Sequence, residues 1–216
     1  AIIRHIKIAV FKPFNANIIK ETKRIIAEKY TDKNVTVLSI GKKADDFFKK
    51  TEFNIKGTTL PNKLDTLYDD LTFENVANVA QKIMDSYSYK QFDKVELIYN
   101  SFINAAMQKV EVEQYLPIVP QEVDENDNSQ VDYIFEPSKI EIISELIPKS
   151  LRTQLFKSIR DSYASEHGAR MTAMHKATDN ATELRDQLKL TYNKARQAAI
   201  TNEILEIVGG AEALNS

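Results

Sequence analysis

The 216-residue chain contains no cysteine, which excludes disulfides and thiolate metal sites and is compatible with a reducing compartment. Glycine is scarce, with only Gly41, Gly57, Gly168, Gly209 and Gly210 present. Neither Gly-x-Gly-x-x-Gly nor Gly-x-x-x-x-Gly-Lys can be built from them, so the close backbone approach that a pyrophosphate demands is missing. No serine stands in a Gly-x-Ser-x-Gly elbow, the usual marker of a hydrolase triad. Histidine is limited to His5, His167 and His175. The last two are a little over two helical turns apart without a carboxylate at metal-site spacing, and they read as surface or seam residues. Net charge is also small. Lys plus Arg (29) nearly balances Asp plus Glu (31), leaving −2, so there is no general attraction to nucleic acid or to an anionic membrane. No apolar run approaches the ~18 residues of a membrane span. The N-terminus, Ala1-Ile2-Ile3-Arg4-His5, carries neither a secretory signal nor an initiator methionine, the pattern of a processed or truncated chain.

What the chain does have is a long amphipathic segment, Leu151 to Val208, free of proline and with Gly168 as its one interior glycine. Met171, Met174, Ala177, Ala181, Leu184, Leu188, Tyr192, Ala195 and Ala199 recur at steps of three or four, which sets them on one stripe of a helix. At about 1.5 Å per residue this is a rod on the order of 85 Å long, too long to lie inside a domain of this size. It must project, and its alanine-rich seam invites close approach of a second helix. Gly209-Gly210 would ordinarily stop a helix; a weak or frayed last turn is expected.

The preceding residues read as an α/β domain. Ile6, Ile8 and Val10 alternate as a strand, and Asn15 to Tyr30 forms a helix burying Ile18, Ile19, Ile25 and Ile26. Val35 to Ile40 is a β-branched strand, Ala44 to Lys50 a short helical piece, and Phe53 to Pro61 a connector. Phe73 to Tyr87 is the next helix, with Val76, Val79, Ala80 and Ile83 on its inner face. Lys94 to Phe102 and the run around Val110 and Val112 are joined by a link too short for a parallel crossover, so they pair antiparallel. Their alternation with charge implies a face that is wetted or meets a polar partner. Gln121 to Gln130 is a polar loop; Asp124, Asn126 and Asn128 imitate a calcium loop, but Ser129 replaces its glycine and Phe135 its bidentate Glu. Tyr133 to Glu136 is a last short strand. Pro137 and Ser138 open a helix to about Ile147, where Pro148 is expected to break or kink it.

The rod also carries a resemblance. Ala169-Arg170-Met171-Thr172-Ala173-Met174, Ala177-Thr178-Asp179-Asn180 and the run Tyr192 to Ile204 closely resemble the C-terminal helix of the gamma subunit of F-type ATP synthase. Phe14-Asn15-Ala16-Asn17, Tyr99-Asn100-Ser101-Phe102, Leu116-Pro117-Ile118 and Tyr133 to Pro137 are similar to further landmarks of that family, in order. The family's Gly-Leu-Cys-Gly turn has no room beside Phe11-Lys12-Pro13-Phe14, and its N-terminal helix has no counterpart here. The expectation is that the chain omits a loop and a first helix of roughly 60 residues upstream of Ala1.

With the resemblance, the expected fold class is α/β. A Rossmann-like foot with a mixed sheet of about five strands occupies residues 1–137. A helical region, 138–216, ends in a long helix forming half of an antiparallel coiled coil. The resemblance implies a non-catalytic rotor shaft without cofactor or metal. It would carry torque between a proton-driven membrane ring and the catalytic alpha and beta subunits, with the foot against the c-ring and the epsilon subunit. It implies no nucleic-acid partner, no membrane insertion, and a peripheral place on the cytoplasmic face of the bacterial inner membrane. By residue type alone, Arg170, Arg196, Gln197, Thr201 and Glu203 are a wetted helix face; the resemblance implies that Arg170, Arg196, Gln197 and Thr201 touch the surrounding beta subunits. Two other readings remain open on the residues: a small-molecule-binding α/β enzyme with an oligomerising helix, and a plain coiled-coil scaffold.

Overall fold

The computed structural model describes residues 4–10, 16–31, 33–55, 60, 61, 64, 66–119, 136 and 138–215. The chain divides into two compact units, Ala1–Ala169 and Arg170–Ser216. In the first, strands β1 (Arg4–Val10), β2 (Asn34–Ile40), β3 (Lys94–Phe102) and β4 (Gln108–Leu116) form one sheet in the order β2-β1-β3-β4. β1 runs parallel to β2 and β3, whereas β3 and β4 are antiparallel, so the sheet is mixed. Parallel neighbours need crossovers. Helix α1 (Ala16–Lys29) links β1 to β2, while α2 (Lys42–Phe48) and α3 (Phe73–Ser88) lie between β2 and β3. Gly41, at φ 115, makes the turn from β2 into α2 in a region that side chains disfavour. The final helix, α4, runs Lys139–Asn215.

Helices cover both sheet faces because β2 and β3 carry apolar residues on both sides. Val35, Val37 and Ile98 meet Ile18, Ile25 and Phe48 on one face. On the other, Leu38, Val95, Leu97 and Tyr115 meet Val76 and Ile83 of α3 and Leu155 of α4. Each such buried side chain contributes roughly 1.5–3 kcal/mol. The stretch before α3 is more than a connector, since Ile55, Leu60, Leu64, Leu67 and Tyr68 all enter this second core.

Among the described residues the sheet has four strands. The extra strand, at Tyr133 to Glu136, falls outside the described residues except for Glu136, as does the loop at 121–130. Of the two alternatives for the charged side of the strands, Glu96 takes the polar partner: it is buried beside Tyr30 and Lys94. Tyr30 donates a hydrogen bond to its Oε1 at 2.6 Å and Lys94 pairs with the same oxygen at 3.0 Å. Burial, then Glu96, pushes the Tyr30 phenol up. Burial pulls Lys94 down, but the bond and charge of Glu96 outweigh it and hold the amine above its usual range. Of the break or kink expected at Pro148 the structure shows no break, and α4 runs through it. Proline there removes the bond to the Ser144 carbonyl, but Ser144 and its neighbours are exposed, so water can take the vacated place. The helix start is firm, because Ser138 Oγ accepts from the Glu141 N–H at 3.2 Å and donates to the Glu141 carboxylate at 3.1 Å.

Candidate functional site

Within the first unit, α4 is held by a polar frame around its apolar stripe. Leu151, Leu155 and Ile159 are buried at four-residue steps. Tyr115 donates from its hydroxyl to the Leu151 carbonyl at 2.9 Å. Arg152 bonds Gln81 of α3 at 2.7 Å, and Gln154 bonds Glu113 of β4 at 2.7 Å. Glu111 and Glu113 sit on the α4 side of β4, where both accept from Tyr99. Here too the charged face meets a polar partner. Burial pushes the nearby Asp161 carboxyl up, against the pull of Lys157, and Glu111 pushes it further.

The second unit is helix alone, on the order of 70 Å from Arg170 to Asn215 at ~1.5 Å per residue. All nine expected seam residues, Met171, Met174, Ala177, Ala181, Leu184, Leu188, Tyr192, Ala195 and Ala199, are exposed. The large ones range from 47% exposed at Met171 to 66% at Tyr192, so no described part of this chain covers the stripe. Apolar exposure continues past Ala199, where Ile200, Ile204 and Ile207 extend along another side of the helix.

Of the four expected contact residues, Arg196, Gln197 and Thr201 are exposed and Arg170 is half-buried. They do not form one patch. Gln197 and Thr201, four apart, share a side of the helix, while Arg196 points about 100° away from Gln197. Thr201 donates its hydroxyl to the Gln197 carbonyl at 2.9 Å, which leaves its oxygen to act toward a partner as an acceptor. The Gln197 amide and the guanidinium of Arg196 extend from the rod as donors, suited to carboxylates or backbone carbonyls.

Among the described residues no three His, Cys, Asp or Glu side chains stand close enough to hold a metal. The Tyr163 ring stacks on Tyr68 at 6.2 Å, and exposed His167 sets its ring 4.4 Å from Tyr163 at a tilt of 54°, so His167 is accounted for as a packing residue. No described helix is long and apolar enough to cross a membrane.

An α/β unit that continues into a long, exposed, amphipathic helix defines a stalk-type subunit that works through its surface contacts. The family described as ATP synthase matches residues 13–214. The ATP synthase gamma chain of Christiangramia forsetii is 58% identical over 202 residues, 94% of this chain and 68% of that relative. That of Flavobacterium johnsoniae is 60% identical over 202 residues, with the same shares of each chain. The chain belongs to the ATP synthase gamma chain family. Among solved structures, the central stalk and c-ring of Tetrahymena thermophila mitochondrial ATP synthase matches with a TM-score of 0.54 at 18% identity, over 82% of this chain and 77% of that one. A chain of the Euglena gracilis mitochondrial ATP synthase matches with a TM-score of 0.56 at 19% identity, over 98% and 72%. At such identities these two show a shared fold.

Proposed function

We propose that this chain is the central-stalk rotor subunit of an F-type ATP synthase, carrying torque between a proton-driven membrane ring and a catalytic hexamer during ATP synthesis or hydrolysis. It makes no bond itself. The observation that carries the reading is the helix beyond Arg170, in which no residue up to Ala211 is buried and the nine-residue seam lies exposed. In this proposal its sleeve is the ring of alpha and beta subunits, and the α/β unit meets the epsilon subunit and the c-ring. The complex would stand at the cytoplasmic face of the bacterial inner membrane, since the curated relatives are bacterial proteins.

The arrangement of the polar residues supports a mechanism. Because Arg196 and the Gln197–Thr201 pair point to different sides, a sleeve of three equivalent sites meets a different contact at each site. Turning the shaft then exchanges those contacts, and each site is biased by whichever one faces it. The enzyme alternative is not favoured by the family membership, and neither phosphate-binding motif occurs in the sequence.

The test is to rebuild the full-length subunit with Ala at Arg170, Arg196, Gln197 and Thr201, singly and together, and to reconstitute the complex. A hydrogen bond to a charged group is worth about 1.5–3 kcal/mol, so hydrolysis, pumping or assembly should change while the α/β unit keeps its stability. All three unchanged in the combined variant would remove these residues from the sleeve contact.

A further inference from the structure

The turn between β3 and β4 is built to press on α4. Asn104 and Met107 exchange backbone hydrogen bonds, and the Asn104 side-chain oxygen accepts from the N–H groups of Ala106 at 3.0 Å and Met107 at 2.7 Å. Gln108 donates to the Ala105 carbonyl at 3.2 Å. That rigid turn sets the Ala105 backbone on Gly168 of α4. A Cβ at position 168 would lie 3.1 Å from the Ala105 Cα, 3.2 Å from the Phe102 ring and 3.3 Å from the Ala105 oxygen. The glycine is a notch into which the turn seats; a Cβ there is tighter than ordinary contact, and the Ala105 backbone and Phe102 ring would have to give by a few tenths of an ångström.

One to two turns earlier on the same helix, two serines hold a single residue of β3. The Asn100 N–H donates to Ser162 Oγ at 3.1 Å, and Ser165 Oγ donates to the Asn100 carbonyl at 3.3 Å. Both serines are 1% exposed. Apolar packing is non-directional and tolerates a helix rolling about its axis. Two oriented hydrogen bonds to one residue and a knob in a notch do not, because both depend on where around the helix each group stands.

We propose that Gly168, Ser162 and Ser165 are positioning residues that fix the rotational setting of α4 against the β3–β4 hairpin, the grip through which torque enters the shaft helix. This rests on the rotor reading. A shaft that rolls in its foot transmits angle poorly, so the grip must resist rotation as well as separation. The position fits that task, since the notch lies at the last turn of α4 within the first unit, two residues before Arg170.

The test uses the full-length subunit in the reconstituted complex. Spin labels go on cysteines introduced at the exposed positions Lys109 of β4 and Thr153 of α4, in a chain with no cysteine of its own in these residues. The Ser162→Ala/Ser165→Ala double variant and Gly168→Leu should each widen the label-to-label distance distribution. Each should also lower the protons pumped per ATP hydrolysed several-fold while hydrolysis persists, with Gly168→Ala in between. If Gly168→Leu fails to fold, the serine pair decides, because it loses only two hydroxyls. An unchanged distribution in the serine variant, or a widened one with the native pumping ratio, overturns the proposal. A native labelled subunit that supports no coupled pumping counts against the rotor reading instead, and the distance distributions still report on the grip.

Discussion

Alkaline pH should unfold the α/β unit through its buried phenols. Tyr68, Tyr99 and Tyr115 are 7%, 4% and 1% exposed. Burial is the largest cause raising all three. Glu166 adds to it at Tyr68, Glu113 and Glu111 add at Tyr99, and Arg152 offsets a part at Tyr115. Each therefore stays protonated in the folded chain well above the ordinary range of a phenol. In the unfolded chain each ionises near pH ~10. The folded state's hold on these protons carries no penalty below about pH 10, and stability falls as pH rises from there toward the folded values. At about pH 11 each unfolded phenol gains roughly 1.4 kcal/mol by ionising, so the three remove about 4 kcal/mol. That is a large share of the 5–15 kcal/mol typical of a domain.

The assay is denaturant unfolding followed by circular dichroism from about pH 8 to about pH 11, with tyrosinate absorbance recorded on the folded chain. Tyr68→Phe and Tyr115→Phe each remove one of these phenols and should flatten the alkaline decline by about a quarter to a third, since the buried Tyr30 phenol, also raised, adds to the native decline. Tyr115→Phe also loses its bond to the Leu151 carbonyl, which lowers stability at every pH and leaves that slope comparison intact. If the variants decline as steeply as the native chain, or all tyrosines ionise with the circular dichroism unchanged, the reasoning fails.

Three further outcomes follow from single contacts. Tyr30→Phe should cost about 1.5–3 kcal/mol at neutral pH, because the buried Glu96 loses a 2.6 Å hydrogen bond; chemical unfolding measures it, and no change would mean that the remaining partners of Glu96, Lys94 among them, satisfy the carboxylate. Leu155→Ala, at a fully buried position on α4, should cost about 2–5 kcal/mol and lower the denaturant midpoint with little change in slope. Lys90→Gly should stabilise by about 0.5–1 kcal/mol: Lys90 has φ 56 after α3, where Gln91 N–H bonds the Ser86 carbonyl and Lys90 N–H that of Tyr87, the helix end at which glycine is preferred.

Period and composition carried most of the elements. Val95, Leu97 and Tyr99 were legible as one face of a strand, and Val76, Val79, Ala80 and Ile83 as one face of a helix, because apolar residues at fixed spacing leave few alternatives. What stayed hidden were polar residues whose partners are distant in sequence. Glu96 stands at an alternating position and looks solvated, yet α1 covers it; nothing near residue 96 announces Tyr30. Ser162 and Ser165 read as small polar residues on a helix until Asn100 is set between them. Gly168 was visible as the one interior glycine, but the turn it receives lies some sixty residues earlier, at Ala105. At Pro148 the local rule allows a break or a kink, and it takes no account of an exposed carbonyl that water can satisfy, which is why the break does not occur.

The second unit separates two kinds of contact, and their energetics differ in a way that suits a turning shaft. An isolated helix has little stability of its own, since most helical stability in proteins comes from burying an apolar face. Between Met171 and Ala211 no residue is buried. Five large residues on the seam, Met171, Met174, Leu184, Leu188 and Tyr192, would each yield about 1.5–3 kcal/mol if covered, on the order of 10 kcal/mol together. A contact of that size is costly to release, so the seam fits a helix that stays in place throughout rotation. The contacts proposed for the sleeve are of the other kind. Arg196, Gln197 and Thr201 already face water, and a hydrogen bond exchanged between water and a partner changes the free energy by only about 0.5–1.5 kcal/mol, or about 1.5–3 kcal/mol when one group is charged. Such contacts can form and break as the shaft passes each site without trapping it at any one. Moving the apolar stripe to the sleeve side would bind more tightly and turn less freely, and placing the polar residues on the seam would leave the pair of helices without a core.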